Sequence, residues 1–376
     1  MNKKIILTFI GFYLPGYKSG GPVRTISNLL NTLSNDYSFK IITRNKDILE
    51  NLPYEGIKAD EWTKNSNCSI YYSGFKVGLR KIIASTEFDS YYLNSLFDFS
   101  FSIKVILLLF FNLIPRKQII IAPRGELSKG ALSLKQFKKK IYLTIAKILN
   151  LYKNVVWHAS NNYEADDIKL VFGEKAAVKI ASDIPDFNLP KVIPNRSKIK
   201  NNLNIIFISS ITPKKNLYFV IEILNKIKGE YKLDIYGPIK SNKYWQKCLN
   251  KINENHKNKI TYKGSIPNSE LYKIYPLYDL LFLPTLGENF GHVIFESLFY
   301  GIPVLSSGTT PWDKLDNFKA GWNINLNDRN KYIETIESLI KMDDDQFSIY
   351  RKGTIEYITW LKNNNDYYTD NLKLFL

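Results

Sequence analysis

Two glutamates, Glu288 and Glu296, stand eight residues apart around the junction between a loop and an apolar segment. The loop follows one apolar run and residues 291–300 form the next, so the pattern indicates a strand, a turn and a helix in that order. The start of a helix offers free N–H groups and the positive end of the helix dipole, which suit a phosphate. Gly287 and Gly291 let a ligand approach the backbone closely. The segment therefore predicts a site for a phosphorylated ligand with two carboxylates beside it.

The spacing of the two glutamates suits a long polar ligand. Along a helix, eight residues rise about 12 Å, which is roughly the span of a sugar, a diphosphate and a ribose. A buried carboxylate needs hydrogen-bond donors, and the vicinal hydroxyls of a ribose would supply them to Glu296. In the alternative interpretation, Glu288 only complements the helix dipole and Glu296 pairs with a nearby lysine. The spacing alone leaves both interpretations open.

The wider segment, residues 278–307, closely resembles the Glu-x7-Glu signature of the retaining glycosyltransferases of family 4, which have the GT-B fold. It contains both Glu-x-Phe-Gly and the Gly-x-Pro-Val that follows. The resemblance implies that Glu288 contacts hydroxyls of the donor sugar and that Glu296 holds the ribose. The backbone N–H groups that it implies to face the donor sugar and phosphates are those of Asn289, Phe290 and Gly291. The resemblance covers nearly the whole chain and is looser in the N-terminal half.

A second match, over residues 207–216, concerns the diphosphate of the donor. The family usually carries an arginine and a lysine after this strand, and Lys215 stands at the position of the lysine. Ser210 stands where the arginine is usual, which leaves one cationic contact missing. Lys214 or Arg124 could supply that contact. The alternative is that the two adjacent lysines belong to a solvated helix start.

Other loops that follow strands are assigned to the donor by the same resemblance. Gly20 and Gly21 allow a tight loop whose N–H groups can meet a leaving phosphate. Gly237 and Ser265 follow two strands of the C-terminal half, and the resemblance places their loops beside the nucleotide, the second near the base.

One polar loop of the N-terminal half follows a predicted strand, so its side chains should line the ligand-binding edge of the sheet. Many relatives have a histidine here that contacts the donor sugar, whereas this chain has Arg124 and Glu126. We expect Arg124 to act in catalysis with Glu288 and Lys215. Glu126 and His158 are expected on the acceptor side, although a satisfied structural histidine is an alternative interpretation of His158.

Strand-like and helix-like segments alternate along the whole chain, which predicts parallel sheets covered by helices on both faces. The predicted strands are 5–10, 39–43, 91–94, 118–122, 155–159, 205–209, 232–236, 260–262, 280–284 and 303–306. The predicted helices are 22–34, 217–227, 270–275 and 291–300, followed by a helical tail from residue 343. The first apolar run could also be a short signal peptide. However, no small-residue cleavage site follows it, and a strand entering a glycine-rich loop explains the pattern better.

The length of 376 residues suits two α/β domains, and a hydrophobic content of 45% provides a core for each. We therefore predict an α/β fold of the GT-B class, in which two Rossmann-like domains with parallel sheets face each other across a cleft. The expected parts are an acceptor-side domain at 1–190, a linker at 191–204, a nucleotide-sugar-binding domain at 205–350 and a helical segment at 351–376 that returns to the first domain.

The formal net charge of +17 indicates an anionic partner, although a lysine-rich coding bias is an alternative. A basic amphipathic stretch at 129–153 favours either a solvated helix or contact with an anionic membrane surface. The apolar run at 105–114 is too short to span a bilayer, which needs about 20 residues. We expect a cytoplasmic protein held peripherally at the inner face of the membrane, with a saccharide or lipid-linked saccharide acceptor in surface polysaccharide assembly such as O-antigen or capsule.

The expected reaction is transfer from a nucleotide-diphosphate sugar with retention and without a protein nucleophile. We expect no metal, because no Asp-x-Asp motif follows a strand and lysines and helix N-termini can stabilise the leaving diphosphate. Cys68 and Cys248 lie far apart, so no disulfide framework is expected. The alternatives are an epimerase or inverting transferase of the same fold and a non-catalytic nucleic-acid or polyanion binder. No helix-turn-helix, zinc or RNP-type motif supports nucleic acid as a partner.

Overall fold

A computed structural model describes residues 3–133, 136–190 and 197–376. It divides into two compact units, of which the first comprises Met1–Pro185 and Asp366–Leu376 and the second comprises Asp186–Asn365. Each unit has one sheet that is parallel except for a single edge strand in the first, with helices on both faces. The predicted α/β class is thereby confirmed.

The first unit is built on one sheet. Its strands within the described residues are β1 (Lys4–Phe9), β2 (Tyr37–Arg44), β3 (Trp62–Asn65), β4 (Cys68–Ser73), β5 (Ser90–Leu93), β6 (Gln118–Ile121), β7 (Val155–Ala159) and β8 (Ala177–Ile180). They are ordered β3-β4-β2-β1-β5-β6-β7-β8. All neighbours are parallel except β3 and β4, which pair antiparallel at the edge. The strand order reverses between β1 and β5.

The face of the sheet on which each helix of the first unit lies follows from the rule that crossovers between parallel strands are right-handed. They are α1 (Gly21–Leu33), α2 (Leu79–Ala84), α3 (Lys104–Phe110), α4 (Lys129–Ser133), α5 (Gln136–Ile148), α6 (Asn162–Phe172) and α13 (Tyr367–Leu372), with a π-helical turn at Phe99–Ile103 before α3. The chain runs one way across the sheet through α1 and the other way through α2, α3, α5 and α6. Accordingly α1 packs with α13 and the C-terminal Phe375 on one face, and helices α2, α3, α5 and α6 contribute to a separate core on the opposite face.

The second unit has a smaller parallel sheet. Its strands are β9 (Asn202–Ile208), β10 (Glu230–Tyr236), β11 (Ile260–Gly264), β12 (Leu280–Leu283), β13 (Val304–Ser307) and β14 (Gly321–Ile324), in the order β11-β10-β9-β12-β13-β14. Its helices are α7 (Leu217–Leu224), α8 (Asn242–Leu249), α9 (Leu271–Ile274), α10 (His292–Phe299), α11 (Arg329–Lys341) and α12 (Asp344–Asn364). Strands β9 to β13 contribute buried aliphatic and aromatic residues to one continuous core, as expected for a sheet covered on both faces.

The bounds of the two units differ from the predicted domains. The helical segment expected to return to the first domain from residue 351 begins within α12, which belongs to the second unit. Phe347, Tyr357 and Ile358 of this helix are buried in the core of that unit, so only the residues from Asp366 onward join the first unit. Part of the predicted linker, residues 191–196, lies outside the described residues.

Within the part of the chain that the structure describes, no helix is both long enough and apolar enough to cross a bilayer. Cys68 and Cys248 are free thiols that lie in different units.

Candidate active site

The strand order of the second unit locates a binding edge before any side chain is considered. From β9 the chain moves one way across the sheet to β10 and β11, and β12 to β14 lie on the other side of β9. Parallel strands on either side of such a reversal leave a crevice at their carboxyl ends, where ligands of open α/β sheets bind. The loops after β9 and β12 meet at this crevice, and they carry the residues that the sequence singled out.

These two loops are tied together by hydrogen bonds to main-chain oxygens. The carbonyl of Lys214 accepts from the N–H of Leu286 at 2.8 Å and from the hydroxyl of Thr285 at 3.1 Å. The side-chain amide of Asn216 donates to the carbonyl of Pro284 at 3.0 Å. Asn216 has a left-handed backbone with a φ of 63°. Because these bonds fix the backbone of both loops, the side chains of Lys214 and Lys215 and of the 287–291 segment are held at one edge of the sheet.

Lys215 and Glu288 form an ion pair in which the lysine ammonium donates to one carboxylate oxygen. Their side chains are 20% and 10% exposed, so the pair is partly shielded from water, where an ionic interaction is stronger than at a fully exposed surface. The N–H of Glu288 also donates to the carbonyl of Thr309, from the loop after β13, at 3.4 Å. The structure thus brings together two of the three predicted catalytic residues.

As expected, Glu288 lies in the loop and Glu296 lies in the helix, but the distance estimated for the two glutamates needs correction. Helix α10 begins at His292, with Gly291 as its N-cap at a φ of 84°. The helical rise therefore separates only His292 and Glu296, by about 6 Å, and the predicted 12 Å does not apply. A Cβ on Gly291 would approach Ile294 to 3.2 Å in addition to straining the left-handed backbone, so glycine is required at this cap.

Glu296 is 6% exposed and accepts a hydrogen bond from the hydroxyl of Tyr275 at 3.2 Å. Of the neighbouring residues predicted for the donor, Phe290 is buried and its carbonyl accepts a hydrogen bond from the indole of Trp312. Asn289 directly precedes it in the same loop. The tyrosine partner of Glu296 was missed from sequence, because it lies 21 positions earlier in the chain and no local pattern links the two residues.

The remaining donor residues of the second unit lie at the same edge of the sheet. Gly237 follows β10 with a φ of 135°, and its N–H donates to the carbonyl of Gly264 at 2.9 Å. A Cβ here would lie 1.9 Å from the carbonyl oxygen of Ser209, so Gly237 acts by permitting backbone contact with the loop that carries Ser210. Ser265 follows β11 and is half-buried.

In the first unit, Arg124 is at the centre of a buried polar network. Its guanidinium donates to Asp183 at 2.7 Å, to the hydroxyl of Tyr92 at 2.7 Å and to the amide oxygen of Asn94 at 2.9 Å. Its side chain is 9% exposed and that of Asp183 is 6% exposed. This placement favours a structural role for Arg124 over the predicted catalytic one, because all three nitrogens of its guanidinium donate to buried side chains.

His158 belongs to the same network and is 1% exposed. Its Nδ1 is 2.8 Å from the hydroxyl of Tyr92, and its Nε2 is 2.8 Å from the carbonyl of Ala181. Burial, together with the nearby positive charge of Arg124, lowers the pKa of His158 to about 3. Both ring nitrogens are engaged, which favours the structural interpretation of His158 over the acceptor-side one.

Glu126 is also held by hydrogen bonds. It accepts from the hydroxyl of Ser95 at 2.8 Å and from the N–H groups of Leu96 and Phe97 at 2.6 and 3.1 Å. Burial raises the pKa of Glu126, and these hydrogen bonds oppose the shift. Glu126 therefore fixes the segment that follows β5. Another buried carboxylate, Glu164, accepts from Gly125 at 2.6 Å and was missed from sequence.

Gly20 and Gly21 lie where α1 begins, after β1. Gly20 is the N-cap, with a φ of 79° and a ψ of −125°, and a Cβ on either glycine would meet no atom within 4 Å. The loop is therefore open around both residues, and only Gly20 has a backbone conformation that requires glycine.

The buried imidazole gives the first expected experimental result. An unfolded histidine takes up a proton near pH 6.5, whereas native His158 stays neutral to about pH 3, so its contribution to stability is lost as the pH falls. Between pH 7 and pH 5 this amounts to about 2 kcal/mol of unfolding free energy. Urea denaturation at pH 7 and at pH 5 measures how much unfolding free energy each protein loses between the two pH values. This loss should be about 2 kcal/mol smaller in the His158→Gln variant than in the wild type.

NMR of the native protein provides an independent measurement of the same property. The ring signals of His158 should not titrate between pH 7 and pH 5, whereas a normal histidine would pass its midpoint there. A titrating ring would contradict the buried, neutral assignment even if the variant failed to fold.

Among the described side chains, no group of three or more histidines, cysteines or carboxylates could hold a metal ion. Lys214 and Lys215 place two cations at the binding edge of the second unit.

Comparison with known proteins agrees with this geometry. Residues 191–356 match the family model of glycosyl transferases group 1. An uncharacterized 41.2 kDa protein in the cps region of Klebsiella pneumoniae is 24% identical over 270 residues, which cover 69% of this chain and 71% of that protein.

Two solved structures show the fold. HepE of Anabaena, in complex with UDP and glucose, superposes with a TM-score of 0.70 at 15% identity and covers 99% of this chain and 98% of its own. WaaG, a glycosyltransferase involved in lipopolysaccharide biosynthesis, superposes with a TM-score of 0.67 at 13% identity and covers 98% of both chains. The fold is of the GT-B class.

The fold and the site together define a glycosyltransferase of the GT-B class. More particularly, the match to the model of glycosyl transferases group 1 falls almost entirely in the second unit, and the Lys215–Glu288 pair and Glu296 all lie within the matched residues. This class was predicted from the sequence, and the alternative of a non-catalytic polyanion binder was wrong.

Proposed function

We propose that the protein transfers a glycosyl group from a nucleotide-diphosphate sugar to a saccharide acceptor with retention of the anomeric configuration, in the biosynthesis of a surface polysaccharide. The observation that carries the proposal is the pairing of Lys215 with Glu288 at the carboxyl edge of β9 and β12. A cation and a carboxylate fixed side by side fit a ligand in which a diphosphate adjoins a polyhydroxylated sugar, because the cation suits the phosphate and the carboxylate accepts from hydroxyls.

The proposed roles follow from this arrangement. Lys215 binds the diphosphate, Glu288 accepts hydrogen bonds from hydroxyls of the sugar, and Glu296 accepts from the ribose. Lys214, whose position is fixed through its carbonyl, can approach the phosphate for which the family uses an arginine at the position of Ser210. The UDP bound in the HepE structure supports a nucleotide sugar as the donor.

In the proposed reaction, the bond between the anomeric carbon and the phosphate oxygen breaks first, and its electron pair stays on the phosphate. Lys215 stabilises the negative charge that develops there. The acceptor hydroxyl then bonds to the anomeric carbon on the same face, and its proton passes to the departing phosphate oxygen. No protein nucleophile and no bound metal are needed in this scheme.

A polysaccharide as product is supported by two of the similar proteins. One lies in the cps region of Klebsiella pneumoniae, and the other is involved in lipopolysaccharide biosynthesis. We propose that the acceptor is a saccharide, carried on a lipid at the inner face of the cytoplasmic membrane.

A surface of the first unit supports contact with an anionic membrane. Helix α5 exposes Phe137 by 77% and Ile148 by 73% beside the exposed Lys138, Lys140 and Lys147. The end of α3 exposes Phe110, Phe111 and Leu113. Helices α3 and α5 follow adjacent strands and pack on the same face of the sheet. Exposed aromatic and aliphatic side chains mixed with lysines are typical of helices that lie in a membrane interface.

The donor and the stereochemistry can be tested in one assay. The protein is incubated with a panel of nucleotide-diphosphate sugars, with thermal stabilisation and release of the nucleotide diphosphate as readouts. We expect one donor to raise the Tm, since a ligand at 100 times its Kd stabilises the native state by about 2.7 kcal/mol. The same donor should be cleaved slowly by water. When a saccharide acceptor is added with that donor, the anomeric configuration of the transfer product, measured by NMR, should match that of the donor.

An inverted product would reject the retaining mechanism, and a panel in which no donor binds would reject the function. Activity that is lost with EDTA and restored by a divalent cation would reject metal independence. For the membrane, co-flotation with vesicles containing phosphatidylglycerol but not with pure phosphatidylcholine is expected. Protein that stays unbound at low salt in both cases would reject the proposed surface.

A further inference from the structure

The first unit contains a layered stack of three aromatic rings and one arginine that the proposed reaction does not use. The guanidinium carbon of Arg44 lies 5.0 Å from the ring centroid of Phe12 and 4.9 Å from that of Phe101. On Phe101, the ring of Phe75 stacks at 5.9 Å with an angle of 25° between the planes. Phe101 is 2% exposed, whereas Phe75 is 55% exposed. The stack therefore runs from the interior to a free aromatic surface.

The strand topology puts this stack where a ligand of this unit would bind. Phe12 follows β1, Arg44 is the last residue of β2, Phe75 follows β4 and Phe101 follows β5. These strands are parallel and adjacent, so their carboxyl ends share one edge of the sheet. Because the strand order reverses between β1 and β5, this is the crevice at which α/β sheets bind ligands.

Two features indicate that the residues of the stack are held in a fixed arrangement. Asp98 accepts from both terminal nitrogens of Arg44, at 2.8 and 3.1 Å, and also from the N–H groups of Ser100 and Phe101, each at 3.0 Å. The carboxylate thus fixes both the guanidinium and the turn that carries the Phe101 ring.

Phe75 itself has a φ of 62°. A bulky side chain in the left-handed region is an outlier, and such strain is concentrated at functional sites. An exposed ring held in this conformation at a binding edge indicates that its free surface has a use.

The charge balance of the stack indicates what it binds. The bidentate contact with Asp98 neutralises Arg44, so the stack offers an aromatic surface without net charge. A phosphate or carboxylate would gain little from it. The C–H face of a pyranose ring is flat, apolar and uncharged, while its hydroxyls point outward to water or to polar side chains. Such a face suits the exposed ring of Phe75.

We propose that Phe75 is the platform of an acceptor subsite, on which a neutral pyranose ring of the saccharide acceptor stacks. This rests on the proposed function in that it takes the acceptor to be a saccharide. Phe101, Arg44 and Asp98 are positioning residues that hold the Phe75 ring from below.

Saturation-transfer NMR tests the subsite directly with the full-length protein. The probes are the methyl pyranosides of glucose, galactose, mannose and N-acetylglucosamine. We expect at least one to bind with millimolar affinity and to receive saturation mainly at the protons of one ring face. In Phe75→Ala the Kd should rise at least about tenfold, and in Phe75→Trp binding should be kept.

Tyr368→Ala is the matched control, because Tyr368 is an aromatic residue of the same unit that is 43% exposed but lies on α13, away from the loops that follow β1, β4 and β5. It should bind the pyranosides as the wild type does. A wild type that binds none of them, or a Phe75→Ala variant that binds them unchanged, would overturn the proposal. Equal binding by Phe75→Leu would also overturn it, since leucine keeps apolar area without an aromatic face.

Kinetics separate this proposal from the proposed function. Once a donor is identified, Phe75→Ala should raise the acceptor KM about tenfold and leave the donor KM and the rate of donor hydrolysis unchanged. A wild type that neither binds nor cleaves nucleotide sugars rejects the proposed function. An active wild type whose acceptor KM does not depend on Phe75 rejects only the subsite.

Discussion

Replacement of Glu288 by glutamine is expected to lower kcat for sugar transfer by about 10²- to 10³-fold, the range for loss of one preorganised electrostatic contact. The neutral amide keeps the shape of the side chain but removes the charge that accepts from the sugar hydroxyls and balances Lys215. The Tm should change by only a few degrees, because glutamine fills the same volume and the lysine keeps some contact with water. Steady-state kinetics with the identified donor and thermal unfolding of both proteins provide the measurement.

The ion pair predicts that the effects of its two residues are coupled. Lys215→Met alone removes the contact to the leaving phosphate and leaves Glu288 without its cation, so it should be at least as harmful as Glu288→Gln. In the double variant, kcat should fall by less than the product of the two single fold-changes, since the effects of residues that act as a unit are not additive in free energy. Strictly multiplicative effects would show that the pair does not act together.

Glu222→Gln is the matched control for this experiment. Glu222 also pairs with a lysine, Lys251, at 3.3 Å, and in addition with Arg329 at 3.1 Å, and it is 18% exposed, but it lies within α7 and not in the loops after β9 and β12. The same chemical change there should leave kcat within about twofold of the wild type, as expected for an ordinary surface ion pair. If Glu288→Gln behaved like this control, the proposed active site would be wrong.

The substitution Gly237→Ala is expected to destabilise the protein by about 3–5 kcal/mol, through overpacking together with left-handed strain. Its Cβ would lie 1.9 Å from the carbonyl oxygen and 2.6 Å from the carbonyl carbon of Ser209, both of them backbone atoms that cannot rotate away. The loop after β9 must then move, and it carries Ser210, Lys214 and Lys215. Urea unfolding measures the loss, and an increase in the donor KM should accompany it.

Gly264→Ala separates steric overlap from backbone strain. Gly264 has a φ of 82°, but a Cβ there would meet no atom within 4 Å. Only the strain of the left-handed backbone then applies, about 1–2 kcal/mol. Equal destabilisation by the two substitutions would contradict the close contact between Gly237 and the loop after β9.

The motif in the C-terminal half was readable from sequence because its chemistry is local. The strand, the glycine-containing turn and the apolar helix around Glu288 and Glu296 lie within about twenty residues, and hydrophobic periodicity places each of them. The buried strands were predictable for the same reason, since runs of aliphatic residues between turns indicate strands covered on both faces. The family resemblance added the expected roles, which remain predictions.

The elements that were not predicted have weak local patterns. Strands β3 and β4 form an antiparallel hairpin at the sheet edge, where β3 is mostly exposed and polar, so no apolar run identifies it. Strand β14 contains only four residues, and α8 contains only eight. Helix α11 is an exception, because it was missed although its buried residues recur at helical spacing. Elements whose stability comes from packing rather than from propensity are found only once their neighbours are known.

By itself, the sequence determined the α/β class, the two-domain organisation and the carboxylates and lysines at the ends of strands, because strand and helix periodicity and turn chemistry are encoded within short segments. The tertiary structure decided which groups meet. It paired Lys215 with Glu288 across 73 residues, enclosed Arg124 and His158 in a buried network with Asp183, and stacked Phe75 on Phe101 and Arg44. These contacts depend on strand order, which places carboxyl ends side by side regardless of their separation in the chain.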